Sequence, residues 1–420
     1  MKGVEVDWSA MLTQTYELAK ECLQTNYYGP KEWLKHLSHS PTIVNVSSFM
    51  GKLKFLKDFK EGSLEAKGWP TYASAYRVSK AVLNAYTRIL AKKYPSFCIN
   101  CVCPGYVKTD VNYNYGILVV EEGTERILRL ALYAVVTGGN KGIGFETCRQ
   151  LALNGVTVVL TSRDEKRGIE AVDKFKESGL SDLVLFHQLD VTDPASIVSL
   201  ADFIKATFGK LDILVNNAGI LGATGDADTI RTSAFNEEGE ITWNTMVTQT
   251  YELTEECLQT NYYGAKRMVE ALNTLLQLSH SPTIVNVSSF MGKLKEIPNE
   301  WAQGVLTDAE SLTEEKLDEV LSEFLKDFKE GSLEAKGWPA YTSAYIVSKA
   351  VLNAYTRILA KKYPSFCINC LCPGYVNTDI NFHLGPLTAE ESAKRVLRLA
   401  LLPSGGPSGL FFVKNEVTPF

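Results

Sequence analysis

The stretch Ala134-Val135-Val136-Thr137-Gly138-Gly139-Asn140-Lys141-Gly142-Ile143-Gly144 decides how this chain is read. A short apolar run ends in a glycine-rich turn, and a helix-length amphipathic segment, residues 144–154, follows at once. Strand, glycine turn and helix in succession is the context that a dinucleotide-binding turn requires. Glycines let backbone approach a pyrophosphate, and the helix N-terminus adds free N–H donors and a partial positive charge. The spacing is Gly-x-x-x-Gly-x-Gly, so a purely structural glycine turn is the competing reading until the rest of the chain is considered.

Working outward, residues 134–137, 157–161, 183–189, 211–215, 283–287 and 367–372 read as short buried strands rich in Val, Ile and Leu. Residues 409–413 offer a last one. Helical segments at 144–154, 167–177, 195–208 and 347–362 lie between them. Near-continuous apolar strands alternating with helices predict an α/β fold, a Rossmann-type doubly wound parallel sheet covered on both faces. Ligands in such sheets bind at the carboxyl ends of the strands.

Those ends carry the next candidates. The second strand runs into Ser162-Arg163. An acidic residue here would suit the ribose hydroxyl of NAD, whereas Arg163 suits the 2′-phosphate of NADP, with Lys141 as a second positive charge. Both are also ordinary solvated surface residues. Asp190, followed by Val191, ends the third strand, where its carboxylate is able to accept from an adenine amino group. Asn216-Asn217-Ala218-Gly219 ends the fourth, and small residues there let backbone lie against ribose and nicotinamide.

Tyr345 and Lys349 stand four residues apart and share one helix face. A phenol of ordinary pKa about 10 is a poor acid–base catalyst at neutral pH, and a neighbouring ammonium lowers that value. The spacing is common on exposed helices, so alone it favours the bland reading. Ser288-Ser289 shifts the balance, because the pair ends the strand 284–287 on the ligand-binding edge, where a hydroxyl is able to hold a carbonyl oxygen. One of the two serves equally well as a turn cap.

The catalytic set occurs twice. Residues 37–54 repeat as 278–295, and 78–101 repeat as 347–370, without a change. Ser47-Ser48, Tyr76 and Lys80 therefore duplicate Ser288-Ser289, Tyr345 and Lys349, and Asn26 duplicates Asn261. The glycine turn has no counterpart in the first copy, and Lys54 runs straight into Phe55 where Lys295 is followed by residues 296–323. The domain reading is a truncated duplicate of the catalytic half, residues 1–133, ahead of a complete unit, 134–420. A tandem duplication and a merger of neighbouring reading frames both account for it.

Composition narrows the classes. A net charge of −5 without a basic block argues against a nucleic-acid surface. No run approaches the roughly 18–20 apolar residues that span a bilayer, and no N-terminal signal pattern stands out. Nine cysteines include the tract Cys367-Ile368-Asn369-Cys370-Leu371-Cys372. Buried strand thiols fit it better than a metal site, since no second Cys/His cluster completes one. Reduced thiols fit a cytoplasmic protein.

Taken together, Thr137–Gly144, Asn216–Gly219, Asn261, Ser289, Tyr345–Lys349 and Cys372-Pro373-Gly374-Tyr375-Val376-Asn377-Thr378 resemble, in order, the short-chain dehydrogenase/reductase family. The long segment between Ser289 and Tyr345 is similar to its monomeric carbonyl reductase-like branch, which includes plant members acting on terpenoids and alkaloids. The resemblance implies NADP(H) as cofactor and NADPH-dependent reduction of a small to medium apolar ketone or aldehyde, by a monomer. The alternative is an inactive fusion that only binds nucleotide or a partner. It also implies roles. Tyr345 is the general acid, Lys349 lowers its pKa and binds the ribose, Ser289 orients the carbonyl oxygen, and Asn261 supports a water-linked proton relay. Thr137, Gly138, Asn140, Lys141, Gly142, Ile143, Gly144, Arg163, Asp190, Val191, Asn217, Ala218, Gly219, Tyr345, Lys349, Pro373, Gly374, Val376 and Thr378 line the cofactor; no metal is expected. The insertion 293–340, with a helical stretch at 307–329, implies a flap over the substrate that also blocks the family's usual oligomer face; a plain surface excursion is the alternative. Phe290, Met291, Trp301, Trp338 and Tyr341 are candidate pocket walls, and most fit equally well as core. The first copy is expected to be silent and poorly packed, its final helix at 122–132 leading into the first strand of the complete unit; domain swapping between the duplicate segments 78–101 and 347–370 is the alternative.

Overall fold

The computed structural model describes residues 42–46, 66, 74–93, 98–103, 107–109, 114, 116–120, 132–226, 228, 230 and 246–420. The chain divides into two compact units, residues 1–131 with 206–208, and 132–205 with 209–420. The boundary expected at 134 therefore falls two residues earlier. Asn26, Ser47-Ser48 and the expected helix at 122–131 lie outside the described residues.

In the first unit, β1 (Thr42–Val46) and β2 (Cys98–Val102) pair in parallel, joined through α1 (Ser74–Lys93). The register is Thr42 opposite Cys98 through Val46 opposite Val102. A parallel pair requires a crossover, and α1 supplies it.

The second unit holds an eight-stranded sheet. Its elements in chain order are β3 (Tyr133–Val136), α2 (Gly142–Leu153), β4 (Thr157–Ser162), α3 (Glu165–Glu177), β5 (Val184–Gln188), α4 (Pro194–Thr207) and β6 (Ile213–Asn216). Then come α5 (Tyr251–Leu258), a π-helical segment (Gln259–Tyr263), α6 (Gly264–Leu276), β7 (Thr283–Val287), α7 (Glu300–Thr307), α8 (Glu314–Lys329) and α9 (Ser343–Lys362). β8 (Cys367–Cys372), α10 (Ala389–Ala400), β9 (Phe411–Val413) and β10 (Glu416–Thr418) complete it. The spatial order is β10-β9-β8-β7-β6-β3-β4-β5, parallel throughout except for the antiparallel edge β10. The order reverses between β3 and β6, which opens the crevice where a dinucleotide binds in a doubly wound sheet.

Every residue of β3, β4, β6, β7 and β8 is buried, as expected for a sheet covered on both sides. Alternation along each strand divides the cover. Ala134, Val136, Val158, Leu160, Val215 and Val285 join Leu151, Phe175, Val396 and Leu399 of α2, α3 and α10 in one core layer. Helices α6 and α9 lie against β6, β7 and β8. All the thiols of the Cys367–Cys372 strand are buried and free, as the strand reading holds. Among the described residues no His/Cys/Asp/Glu group is arranged to hold a metal, and no helix is long and apolar enough to cross a membrane.

Several element bounds differ from expectation. Helix α2 begins at Gly142, not Gly144, so the end of the glycine turn is itself the first helical turn. The helical stretch expected at 307–329 is helical only from Glu314, as α8, and a further helix, α7, precedes it at Glu300–Thr307. Asp308 closes α7 and accepts from the backbone N–H groups of Glu310 and Ser311, and Thr313 caps α8 through the N–H of Lys316. Local side-chain bonds of this kind compete with continued helix.

Candidate active site

The site grows from the carboxyl ends of β3, β6, β7 and β8. At β3, Thr137 Oγ1 accepts from the backbone N–H groups of Asn217 and Ala218, both at 2.9 Å. Asn217 returns the contact, donating from Nδ2 to the carbonyls of Thr137 (2.9 Å) and Gly138 (3.2 Å). Thr137, Asn217 and Ala218 are thus one hydrogen-bonded unit that fixes the glycine turn to the end of β6. Gly138 takes φ +63° and Gly142 φ +55°, backbone that favours glycine. A Cβ on Gly144 would stand 2.3 Å from the Gly138 carbonyl. Lys141, the residue before α2, makes no side-chain cap, and Ile143 and Asn140 are half-buried beside it. The first-turn N–H groups of α2 therefore have no capping side chain and remain available to an anion.

The charged candidates are paired. Arg163 is exposed, with Nη1 3.5 Å from Glu256 Oε1. Lys141 forms an ion pair with Asp379, whose other oxygen meets His383 Nε2 at 2.9 Å. These partners hold the Asp379 carboxyl below the usual carboxylate range. Asp379 and Glu256 were not legible as site residues, since only the fold brings them to the turn. Asp190 shapes its own turn, its Oδ1 accepting from Thr192 N (2.8 Å) and Oγ1 (2.7 Å). Val191 is buried against Gly264, where a Cβ would come within 2.8 Å.

At β8, Pro373 offers its carbonyl to Arg395 Nη1 at 2.7 Å, and Gly374 takes φ +99°. Val376 is bridged to Leu387 and its carbonyl accepts from Asn381 Nδ2 at 2.8 Å. Thr378 faces Gly142, where a Cβ would meet its Cγ2 at 3.3 Å. The loop after β8 thereby reaches the glycine turn.

The catalytic candidates converge between these two edges. Lys349 is 4% exposed and donates to the Val287 carbonyl at 2.8 Å. Its ammonium lies 5.6 Å from the Tyr345 ring centroid. Burial pulls the ammonium down to about 8, and the thiols of Cys257 and Cys372 offset that only in part. Burial pushes the Tyr345 phenol up, and a hydrogen bond with Ser289 pulls it back. Ser289 also accepts from Met291 N at 3.2 Å, so the second serine of the pair faces Tyr345 while Ser288 binds the Lys349 carbonyl at 3.5 Å. Asn261 sits on the π-helical segment, accepting from Ile220 N (2.8 Å) and donating to Ile220 O (3.0 Å). A Cβ on Gly219 would lie 3.2 Å from Asn261 Oδ1 and 3.4 Å from Lys349 Nζ. Asn261, Lys349 and the backbone of Gly219 therefore meet at one point. A dinucleotide fits this cradle: uncapped N–H groups at one end, glycine backbone beside a buried ammonium at the other.

The chain belongs to the short-chain dehydrogenase family. The family model, short chain dehydrogenase, matches residues 132–300. The chain is 61% identical over 289 residues to short-chain dehydrogenase/reductase 1 of Saponaria officinalis, covering 69% of this chain and 96% of that one. It is 60% identical over 291 residues to (+)-neomenthol dehydrogenase of Arabidopsis thaliana, covering 69% and 98%. The solved salutaridine reductase of Papaver somniferum matches with a TM-score of 0.64 at 54% identity, over 67% of this chain and 99% of that one. The protein is an oxidoreductase of this family, using a nicotinamide cofactor between CH–OH and C=O.

The insertion departs from expectation in part. Helix α8 buries Leu317, Val320, Leu321 and Phe324 and packs on α5 and α9, while α7 packs on α8 and α9. Arg357 of α9 donates to the carbonyls of Leu306 and Thr307, and Lys362 pairs with Glu314 at 2.9 Å. Trp338, a candidate for pocket wall or core, is core: it is 3% exposed, with Nε1 2.7 Å from Asp327 Oδ2 and its ring 5.2 Å from Phe324. A buried indole N–H requires a partner, and Asp327 supplies it. Phe290, Trp301 and Tyr341 are exposed and Met291 half-buried.

Proposed function

We propose that residues 132–420 form an NADPH-dependent carbonyl reductase acting on compact apolar ketones of the terpenoid or alkaloid kind. The observation that carries the reading is the convergence of the buried Lys349 ammonium, Asn261 and Gly219 beside Tyr345 and Ser289. Ser289 holds the substrate carbonyl oxygen next to the Tyr345 hydroxyl. NADPH, when bound, supplies the hydride. Tyr345 Oη gives its proton to the carbonyl oxygen, which becomes the alcohol. Lys349 stabilises the phenolate left behind, and Asn261 lines the path by which Tyr345 is reprotonated. The unpaired burial of Lys349 makes its charge strong in its effect on Tyr345, because little solvent screens it.

The uncapped first turn of α2, with Thr137, Gly138, Asn140 and Ile143, is assigned to the pyrophosphate, and Val376 and Thr378 to the nicotinamide end. Arg163 is assigned to the 2′-phosphate, with Lys141 able to exchange Asp379 for the same group. Covering of α9 by α7 and α8 supports a monomer, and free thiols support a cytoplasmic setting. Residues 1–131 are assigned as a silent duplicate of the catalytic half. The name of the Arabidopsis relative supports a monocyclic terpenoid ketone as substrate.

The test is oxidation of NADPH by the full chain against a panel of monocyclic terpenoid and morphinan-type ketones, with NADH in parallel. Turnover of at least one ketone, faster with NADPH, is expected. Nucleotide binding without turnover across the panel would favour a binding protein.

A further inference from the structure

Ser348 sits between Tyr345 and Lys349 in sequence, yet it is absent from the roles above. It is completely buried. Its hydroxyl donates to the Tyr345 carbonyl at 2.8 Å, and Oγ accepts from Asn261 Nδ2 at 3.0 Å. Asn261 spends its other polar positions on the Ile220 backbone, at 2.8 and 3.0 Å. Among the described residues the further acceptor near Nδ2 is the thiol of Cys257 at 3.2 Å, one turn earlier. A thiol is a weak acceptor, so the hydroxyl is the better partner. Ser348 is therefore the side chain that joins the helix of Tyr345 and Lys349 to the π-helical segment of Asn261 and, through Asn261, to the loop of Gly219 and Ile220.

We propose that Ser348 is a positioning residue: it orients the Asn261 amide so that Asn261, Lys349 and Gly219 hold the geometry through which Tyr345 is reprotonated. The inference rests on the assignment of Tyr345 and Lys349 given above. Three observations support it. Asn261 lies in a π-helical turn, a break in regular α-helical bonding that is frequent at functional sites. Asn261 is 1% exposed, so its amide depends on partners inside the fold. Gly219 leaves 3.2 Å to Asn261 Oδ1 and 3.4 Å to Lys349 Nζ, so a small rotation of the amide changes the space beside the ammonium. The titratable groups facing this network are Lys349, Tyr345, Cys257 and Cys372. Burial lifts the Cys257 thiol to about 12 and raises Cys372, which leaves Lys349 as the group that reports a change near neutral pH.

The experiment compares the full chain with S348A, S348T and S348C, using NADPH and one ketone that the parent reduces, and Y345F as reference. The readouts are kcat, KM for NADPH, the pH dependence of kcat and thermal stability. S348A is expected to lower kcat by about tenfold, a fraction of the roughly 10²–10⁴-fold that a proton-transfer group itself contributes. It should leave KM for NADPH near the parent value and move the alkaline limb of the kcat profile. S348T, which keeps a hydroxyl, should restore most of the rate. S348C keeps the volume but weakens the acceptor, so it should fall between them, and it decides the matter if S348A does not fold. Parental kcat and pH profile in S348A, or in S348C where S348A is insoluble, would overturn the proposal. So would a loss of stability with an unmoved pH profile that S348T does not repair. If Y345F itself retained the parental rate, the underlying assignment of the acid would fall instead.

Discussion

Helices α1 and α9 carry the same residues from Val78 and Val347 to Lys93 and Lys362, and they differ in almost everything except their internal geometry. Ser79 and Ser348 each donate to the carbonyl three residues earlier at 2.8 Å. Thr87 and Thr356 each donate four residues back, at 2.8 and 2.9 Å. The lysine lies 5.5 Å from the tyrosine ring centroid in one and 5.6 Å in the other. The strands beside them also agree, Thr42 facing Cys98 as Thr283 faces Cys367. Burial separates them. Ile89 is 60% exposed where Ile358 is half-buried, and Lys80 is half-buried where Lys349 is 4% exposed. Arg88 is exposed, whereas Arg357 is held by the insertion. Local sequence writes the helix and its Tyr/Lys spacing. The chemistry comes from the neighbours, namely Val287, Asn261, Gly219 and Ser289, which remove water from the ammonium and the phenol.

The sharpest contrast is expected from paired substitutions of the two tyrosines in the full chain. Tyr345→Phe should lower kcat for ketone reduction by about 10³-fold, the range for removing a general acid, while Tyr76→Phe leaves it at the parental value. Steady-state NADPH oxidation reads both. Next, Arg163→Ala should lower the ratio of kcat/KM for NADPH over NADH by about tenfold or more, as one charge-assisted phosphate contact is lost. An unchanged ratio would remove Arg163 from the phosphate assignment.

The pH dependence follows from Lys349. Its ammonium is present below about 8 and lost above. Reduction creates a phenolate that this charge stabilises, so the rate should be full on the acid side and fall as pH rises through about 8. Initial rates across pH 6–10 check the sign. A smaller effect compares the outer faces of the two helices. Arg357→Ala removes contacts to Leu306 and Thr307 and should cost about 1–2 kcal/mol in chemical denaturation. Arg88→Ala should stay within about 0.5 kcal/mol.

Much of this was legible in residues of short range. The buried strands show as Val/Ile/Leu runs, the glycine turn as Thr137–Gly144, and the proposed acid–base pair as Tyr345 and Lys349 on one helix face. The remainder depends on long-range placement. Asp379 reaches Lys141 across 238 positions of sequence, and Gln249 accepts from Ser343 N at 2.7 Å to close the start of α9. Neither has a local signature. Trp338 stays open between wall and core in the sequence, because an exposed wall and a buried indole with a carboxylate partner look alike until Asp327 is seen beneath it. Helix α7 was not read at all, and α8 was expected to begin at 307 because the turn at Asp308, which accepts from Glu310 N and Ser311 N, has only a weak local signature.

We assign catalysis to residues 132–420 alone. The most direct test is to express 132–420 and the full chain side by side, and to measure kcat and KM for NADPH and one reduced ketone per molecule of protein. Equal constants are the expected result. A truncated protein that folds and binds NADPH yet fails to turn over, while the full chain does, would show that the first copy contributes to the site.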